Sequence, residues 1–215
     1  MKERGMIFNT EMVNAILSGR KTQTRRPIKW KQTRFTEIAE RDDGSLWPWA
    51  EDCERGGDIW FACPYGEIGD RIWVRETFRV HSRATDVATL VYWASVRNSW
   101  TEQTHRVPIA VCDKPATPEK WTPSIHMPRW ASRILLEITD VRVERLQGIS
   151  QRDAIAEGGP SDHPSFSKIS REMGFSDWPR SWFAQTWWGI YGREAWDANP
   201  WVWVIEFKRV EGGAA

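Results

Sequence analysis

A run of basic side chains near the N-terminus has the charge that phosphate binding requires. Between Glu11 and Glu37 the chain has no acidic residue but has seven basic ones, which are Arg20, Lys21, Arg25, Arg26, Lys29, Lys31 and Arg34. Positive charge clustered in this way suits contacts with phosphate groups. The alternative is a solvated basic strand edge that discourages pairing with other strands. Charge alone leaves both interpretations open.

A carboxyl group on an apolar strand face is the second candidate for chemistry. The stretch Gly69 to Phe78 predicts a strand, in which alternation puts Ile72, Val74 and Glu76 on one face. We expect Glu76 to be at least partly buried, which raises its pKa unless the carboxyl meets a cation. Lys21 or an arginine of the basic segment is the expected partner, and a purely structural ion pair is an equal alternative.

A stiff loop between Trp121 and Arg133 is the third candidate. Two prolines restrict this loop, which carries His126, Arg129 and Trp130. A tryptophan can stack on a base, and an arginine can bind a phosphate or a base edge. For Trp130 alone, a place in the core is favoured over contact with a ligand.

Short strands and small helices must position these residues. Helices are predicted after a capping residue, Asn9 or Thr10, after Ser150, and over Trp182 to Tyr191. Strands are predicted at Gly5–Phe8, 35–40, 46–51, Arg71–Phe78, Leu90–Trp93, Ala131–Leu146 and Trp201–Val210. Residues 97 to 128 hold five prolines and are predicted mainly as loop.

This pattern predicts an α+β fold built as a compact β-barrel with small flanking helices. We expect one domain over residues 1–210, with loop insertions near 30–66 and 160–178. Residues 211–215 are expected to form a flexible tail.

Composition excludes several classes of protein. The 215 residues carry 30 basic and 29 acidic side chains, a net charge of +1, so no global field favours nucleic acid or membrane. The sequence contains no run of about 18 apolar residues, so no membrane span is predicted. The three cysteines form no C-x-x-C pair, which favours a reducing, cytoplasmic location and argues against a metal site. Among the 16 tryptophans, Trp47, Trp49 and Trp100 lie in polar segments and are candidates for ligand contact.

Several motifs together resemble the ASCH domain, a branch of the PUA-like β-barrel superfamily associated with RNA or modified nucleosides. They are the spacing Gly19-x-Lys21-x-x-x-x-Arg26, the strand Gly69 to Val74 and the ending Ile205 to Phe207. The stretches C-P-Y-G, W-V-R-E-T-F, P-S-I-H-M-P-R-W-A-S-R-I and N-P-W-V-W-V-I-E-F resemble a longer subgroup common in bacteriophage and prophage genomes. The resemblance implies a PUA-like barrel.

The resemblance also implies an activity, because small bacterial ASCH proteins include amidohydrolases that cleave N4-acetylcytidine to cytidine and acetate. It implies the catalytic set Lys21, Thr24 and Glu76, without metal or cofactor. A neutral Lys21 would take the proton of Thr24, and Glu76 would protonate the departing amine or activate water. Direct attack by water, with Thr24 as an oxyanion donor, is equally open.

The implied substrate is a small nucleoside or nucleobase, and RNA is an alternative. The residues expected to bind it are Arg26, Arg75, His126 and Arg129. The threonine mechanism requires Arg20 to Arg26 to be bulged or turned, since a regular strand puts Lys21 and Thr24 on opposite faces. The alternative functions are a non-catalytic RNA or modified-nucleobase binding module and a ribonuclease.

Overall fold

The computed structural model describes residues 1–30, 37–52, 54, 56–95, 104–159, 174 and 178–210. These residues form eleven β-strands and four α-helices, so the predicted α+β class is confirmed. The strands are β1 (Glu3–Ile7), β2 (Gln23–Pro27), β3 (Glu37–Glu40), β4 (Leu46–Glu51), β5 (Asp58–Trp60), β6 (Arg71–Arg75), β7 (Phe78–Arg83), β8 (Val87–Tyr92), β9 (Thr104–Pro108), β10 (Leu135–Arg145) and β11 (Trp201–Arg209). The helices are α1 (Thr10–Leu17), α2 (Gln151–Ala156), α3 (Trp178–Tyr191) and α4 (Arg193–Asp197).

The chain divides into two compact units. Unit 1 contains the described residues of Met1–Gly19, Gly69–Glu137 and Lys208–Ala215, and unit 2 contains those of Arg20–Ile68 and Ile138–Phe207. The single domain over 1–210 stays a prediction. Most of the proposed insertion near 160–178, a smaller part of that near 30–66 and the whole tail, residues 211–215, lie outside the described residues.

In unit 1, β6 lies between β1 and the start of β10. It pairs with β1 in parallel, Arg4 opposite Ile72, and with β10 in antiparallel fashion, Leu136 opposite Ile72. The inward residues Ile72 and Val74 are fully buried, as alternation predicts. Helix α1 begins where predicted, because the Asn9 side chain accepts a hydrogen bond from the Met12 amide at 2.9 Å.

A second sheet of unit 1 consists of β7, β8 and β9 in antiparallel order. The prediction of mainly loop for residues 97–128 is wrong at β9, which pairs with β8 through Pro108 opposite Val87. In the strand order of the described residues, β9 has one neighbouring strand and is therefore an edge strand. An edge strand tolerates proline because its outward side needs no ladder hydrogen bond. Phe78, Leu90 and other apolar side chains of this sheet form the core of the unit.

In unit 2, β11 pairs in antiparallel fashion with β2, Ile205 opposite Thr24. This confirms the predicted strand, and residues 202–205 are all buried, so it is apolar on both faces. Helix α3 begins at Trp178, four residues before its predicted start, and Pro179 fits the first turn because its missing amide hydrogen has no helical partner there. Strands β3, β4 and β5 form a separate antiparallel sheet. Strands within the described residues close no barrel, so the PUA-like barrel stays a prediction.

The turn after α2 has no space for a side chain at Gly159. A Cβ atom there would lie 2.7 Å from the Ala154 carbonyl oxygen, a backbone atom, and 2.9 Å from the Trp182 ring. We therefore expect Gly159→Ala to lower the free energy of unfolding by about 1–3 kcal/mol, measured by urea denaturation. Gly148→Ala is the matched control, since a Cβ atom there meets nothing within 4 Å. Equal stability of the two variants would contradict this packing.

Candidate functional site

The chain is irregular at Thr22, between Lys21 and β2. Lys21 forms an isolated antiparallel bridge with Glu157, which follows α2. The Thr22 amide donates to Ala156 O at 2.8 Å, whereas its carbonyl accepts from the Phe207 amide at 2.8 Å. In a regular antiparallel pair, one residue exchanges both hydrogen bonds with the same neighbour. The chain therefore departs from a regular strand at Thr22, inside the segment that the threonine mechanism requires to be bulged or turned.

The Lys21 ammonium is buried in an ion pair. Its Nζ atom donates to Glu157 Oε2 at 2.7 Å and to the Glu157 carbonyl oxygen at 2.9 Å. The Lys21 side chain is 0% exposed and that of Glu157 is 4% exposed. Burial lowers the pKa of Lys21, and the adjacent Glu157 carboxylate offsets this in part. Sequence reasoning did not identify Glu157, since nothing local connects the end of α2 with the start of β2.

Arg25 reaches the same carboxylate from β2. Its guanidinium lies 3.3 Å from Glu157 Oε1, 2.8 Å from Glu144 Oε2 and 3.4 Å from Asp153 Oδ2. Because Lys21 and Arg25 bind one carboxylate, their side chains lie on the same side of the chain. Alternation along β2 puts the buried Thr24 on the other face. Among the described residues, the Lys21 ammonium donates to Glu157 and not to Thr24.

Much of the basic segment is therefore occupied by contacts within unit 2. Arg20 donates to Gly158 O at 3.0 Å, and the side chains of Lys21 and Arg25 are buried. Lys29 is exposed and forms no ion pair in the part of the chain that the structure describes. Arg26, expected to bind substrate, is half-buried on β2 opposite Trp203. Lys31 and Arg34 lie outside the described residues.

Glu76 lies in unit 1, directly after β6, and is 3% exposed. Its predicted burial is confirmed, but its predicted partner is wrong. The carboxylate is bound at both oxygens by Arg133, with Oε1 at 2.9 Å from Nε and Oε2 at 3.0 Å from Nη2. Arg133 reaches Glu76 because it closely precedes β10, which pairs with β6. Alternation in one strand cannot reveal a partner from a neighbouring strand that lies far away in sequence.

Arg133 is itself held in place. It donates to Ser95 Oγ at 2.9 Å, and its guanidinium lies 4.1 Å from the centre of the Tyr92 ring. The Tyr92 hydroxyl donates to Ala131 O at 2.7 Å. Burial raises the pKa of the Glu76 carboxyl, and the hydrogen bonds and charge of Arg133 offset this in part. The result is a fixed carboxylate whose affinity for a proton is increased.

A cavity of about 280 Å³ borders Glu76 in unit 1. Its wall contains hydroxyl and amide side chains beside the carboxyl together with three apolar residues, and its residues are Ile7, Phe8, Asn9, Thr10, Glu76, Thr77, Ala94 and Ser124. Asn9 and Thr10 belong to the N-terminal end of α1, where backbone amides lack helical partners and favour negative charge. The cavity can hold a small polar group against Glu76 and within reach of hydrogen-bond donors.

Three predicted substrate-binding residues also lie in unit 1. Arg75 donates from Nε to Ser124 O at 3.2 Å and also binds Ile125 O, so it is joined to the wall of the Glu76 cavity. His126 is exposed in the turn that begins at Ser124. Arg129 is held by Glu3, with Nε 2.8 Å from Oε2. The structure thus brings Glu76, Arg75 and this turn together. Arg129 instead pairs with the Glu3 carboxylate and does not line the cavity.

Neither family models, nor curated proteins, nor solved structures match this chain. The resemblance to the ASCH family stays a prediction. Within the described residues, no three His, Cys, Asp or Glu side chains are arranged to hold a metal ion. None of the helices described has both the length and the apolar character needed to cross a bilayer.

A second cavity, of about 360 Å³, lies in unit 2 beyond the end of β2 and was not predicted. We call it the aromatic groove, and its residues are Pro27, Ile28, Lys29, Trp30, Pro48, Phe61, Ala62, Pro64, Tyr65 and Trp203. Trp47, a predicted ligand contact, does not line this groove but contacts two of its residues. Its Nε1 donates to Phe61 O at 2.7 Å, and its ring packs edge-on against that of Trp203 with the ring centres 5.0 Å apart. Trp100 lies outside the described residues.

Proposed function

We propose that this protein is an amidohydrolase that removes the N4-acyl group from cytosine- or cytidine-type compounds. One observation carries the proposal: Glu76 is a buried carboxyl with a raised pKa in the wall of a cavity that also presents hydroxyl and amide groups. Perturbed carboxyls in such cavities are typical of acid–base sites, although structural ion pairs also perturb them. The ASCH resemblance supplies the identity of the bond that is cleaved.

Glu76 can act first as a base and then as an acid. In its ionised form, bound to Arg133, the carboxylate takes a proton from a water molecule, and the hydroxide adds to the acyl carbonyl carbon. The same proton then passes to the exocyclic nitrogen as the carbon–nitrogen bond breaks. The products are a carboxylic acid and the free amine of the base, so one water molecule is consumed.

Donors at the cavity wall would stabilise the negative oxygen that forms on the acyl carbon. The first turn of α1 supplies backbone amides near Thr10, and Thr10, Thr77 and Ser124 supply hydroxyls. Preorganised donors of this kind typically supply the largest share of transition-state stabilisation in acyl transfer. Arg75 donates to the carbonyl oxygen of Ser124 and so fixes Ser124 at the cavity wall, which makes Arg75 a positioning residue.

Lys21 and Thr24 belong to unit 2, whereas Glu76 belongs to unit 1. Burial favours the neutral amine of Lys21 that a base must have. The ion pair with Glu157 and the alternation of β2 both disfavour a proton transfer from Thr24 to Lys21. We therefore favour a mechanism in which water attacks the acyl carbon directly over one in which Thr24 is the nucleophile.

The alternative of a non-catalytic RNA reader requires several cations that face solvent. Of the basic segment, Lys21 and Arg25 are buried in ion pairs, which removes them from phosphate contacts. This observation favours the enzyme over a reader that binds RNA through the basic segment. A ribonuclease has no distinguishing residue in the chain.

The test is an assay of the purified protein with N4-acetylcytidine, followed by the change in ultraviolet absorbance. We expect cytidine and acetate in equal amounts. N4-methylcytidine is the control substrate, since it lacks the carbonyl group and should remain unchanged. A folded protein that produces no cytidine, and that binds oligonucleotides in a salt-dependent way, would support the reader instead.

A further inference from the structure

We infer that the aromatic groove of unit 2 binds a mononucleotide, with the base against its aromatic wall and the phosphate at Lys29. This inference does not rest on the proposed reaction, because none of the groove residues belongs to the Glu76 cavity. Its volume of about 360 Å³ falls within the usual range for small-molecule sites, roughly 300–1,000 Å³.

The wall of the groove offers fixed aromatic surfaces. Trp203 is buried at one side and is held by the edge-on contact with Trp47. The Arg41 guanidinium lies 4.1 Å from the centre of the Trp47 ring and fixes it further. Trp30, by contrast, is 44% exposed and leaves part of its indole surface free for stacking. A planar base is suited to such a site, since stacking on aromatic side chains requires a flat π-surface.

Tyr65 supplies a directional polar group within the groove. Its hydroxyl has no hydrogen-bond partner among the residues that the structure describes. Burial raises the pKa of this phenol, so it stays protonated and can donate a hydrogen bond. Bases carry carbonyl oxygens and ring nitrogens that accept such a bond, whereas a purely apolar ligand would leave the hydroxyl without a partner.

Accessible charge in the described part of the basic segment suits one phosphate at the groove rather than a chain of phosphates. Lys29 is exposed at the groove and has no acidic partner within the described ranges. The side chains of Lys21 and Arg25 are buried in ion pairs, which interrupts a phosphate path between the exposed Arg20 and Lys29. Among the described residues that line the groove, Lys29 supplies the one ammonium, which matches the single phosphate of a mononucleotide, whereas a nucleic-acid strand needs a row of cations.

Prolines make the groove largely preformed. Pro27, Pro48 and Pro64 line it, and each restricts the backbone angle φ at its position. A site that needs little ordering on binding loses less affinity to entropy.

The test measures binding of adenosine 5′-monophosphate by isothermal titration calorimetry, with adenosine and inorganic phosphate as separate probes. Adenine gives a large stacking surface and is not an acylcytosine, so the result is independent of the proposed amidohydrolase activity. We expect one site, weaker binding of adenosine, and no detectable binding of phosphate alone. Trp30→Ala should weaken binding of the nucleotide roughly 5- to 150-fold, the range that loss of one base stack typically gives.

Lys29→Ala should lower the affinity for the nucleotide to that for adenosine and leave the affinity for adenosine unchanged. The control is Trp93→Ala, which removes a tryptophan of unit 1 that is 51% exposed, and should leave binding intact. Absence of nucleotide binding by the folded protein would overturn the inference. Three other results would also overturn it, since each identifies a different occupant of the groove. They are binding of a ten-nucleotide oligonucleotide that is tighter than binding of adenosine 5′-monophosphate, tighter binding of a proline-rich peptide, and self-association that Trp30→Ala abolishes.

Discussion

Glu76→Gln is expected to lower kcat/KM for N4-acetylcytidine by about 10²–10⁴-fold, the usual contribution of a positioned acid–base group. Glutamine keeps the shape of the side chain but can neither take the proton of water nor return it to the exocyclic nitrogen. The variant also leaves Arg133 without its carboxylate, although Ser95 Oγ and the Tyr92 ring still hold the guanidinium. Steady-state kinetics, together with a urea unfolding curve, separates loss of chemistry from loss of fold.

Asp70→Asn is the matched control for this prediction. Asp70 is also a buried carboxylate of unit 1, 3% exposed, and pairs with Arg4 at 2.9 Å, but it does not line the cavity. Its loss should lower the free energy of unfolding without removing turnover. If both variants lose activity in proportion to their stability, Glu76 has a structural role and not a catalytic one.

The pH profile gives a further test of the role of Glu76. A base must be ionised to accept a proton, so turnover should fall as the pH drops through the pKa of the Glu76 carboxyl. Because burial raises that pKa, the fall should come above the pH at which an ordinary glutamate titrates. The acid limb of kcat/KM should be shared by Asp70→Asn, while the residual activity of Glu76→Gln should lack it.

Local patterns were sufficient to predict the burial of Glu76 and the apolar core strand β11. Alternation relates residues two apart in one strand, and it puts Ile72, Val74 and Glu76 together on the face that is buried. The Asn9 and Ser150 caps were equally local, since each binds an amide three residues further along. These features need only the sequence of one element.

Partners between elements could not be predicted in this way. Arg133 meets Glu76 through the register of β10 on β6, and Glu157 meets Lys21 through the bridge that follows α2. Both pairings join residues more than 50 positions apart, and no periodicity within either element encodes them. The aromatic groove was missed for the same reason, because β11, the end of β2 and residues of the 46–65 region create it together.

Lys21→Met is expected to lower the free energy of unfolding by about 3–5 kcal/mol, because it leaves the Glu157 carboxylate buried with Arg25 as its remaining partner. The double variant Lys21→Met/Glu157→Leu removes both charges and should recover most of this loss, since well-packed apolar residues replace buried ion pairs at little cost. Arg25 keeps Glu144 and Asp153 in that variant. Urea unfolding of the wild type, both single variants and the double variant measures the coupling.

An exposed ion pair shows whether burial causes the large loss of stability that is expected for Lys21→Met. Lys208 and Glu137 lie 2.8 Å apart, with side chains 63% and 30% exposed, and Lys208→Met should cost about 0–1 kcal/mol. A similar loss for Lys21→Met would mean that solvent reaches the Lys21–Glu157 pair. The double variant also tests two roles of the pair: restored stability with lost turnover makes the Lys21–Glu157 pair part of the chemistry, whereas restored stability with full turnover makes it structural. The second outcome would leave Glu76 as the acid–base group of the proposed reaction and exclude Lys21 as the base that a Thr24 nucleophile requires.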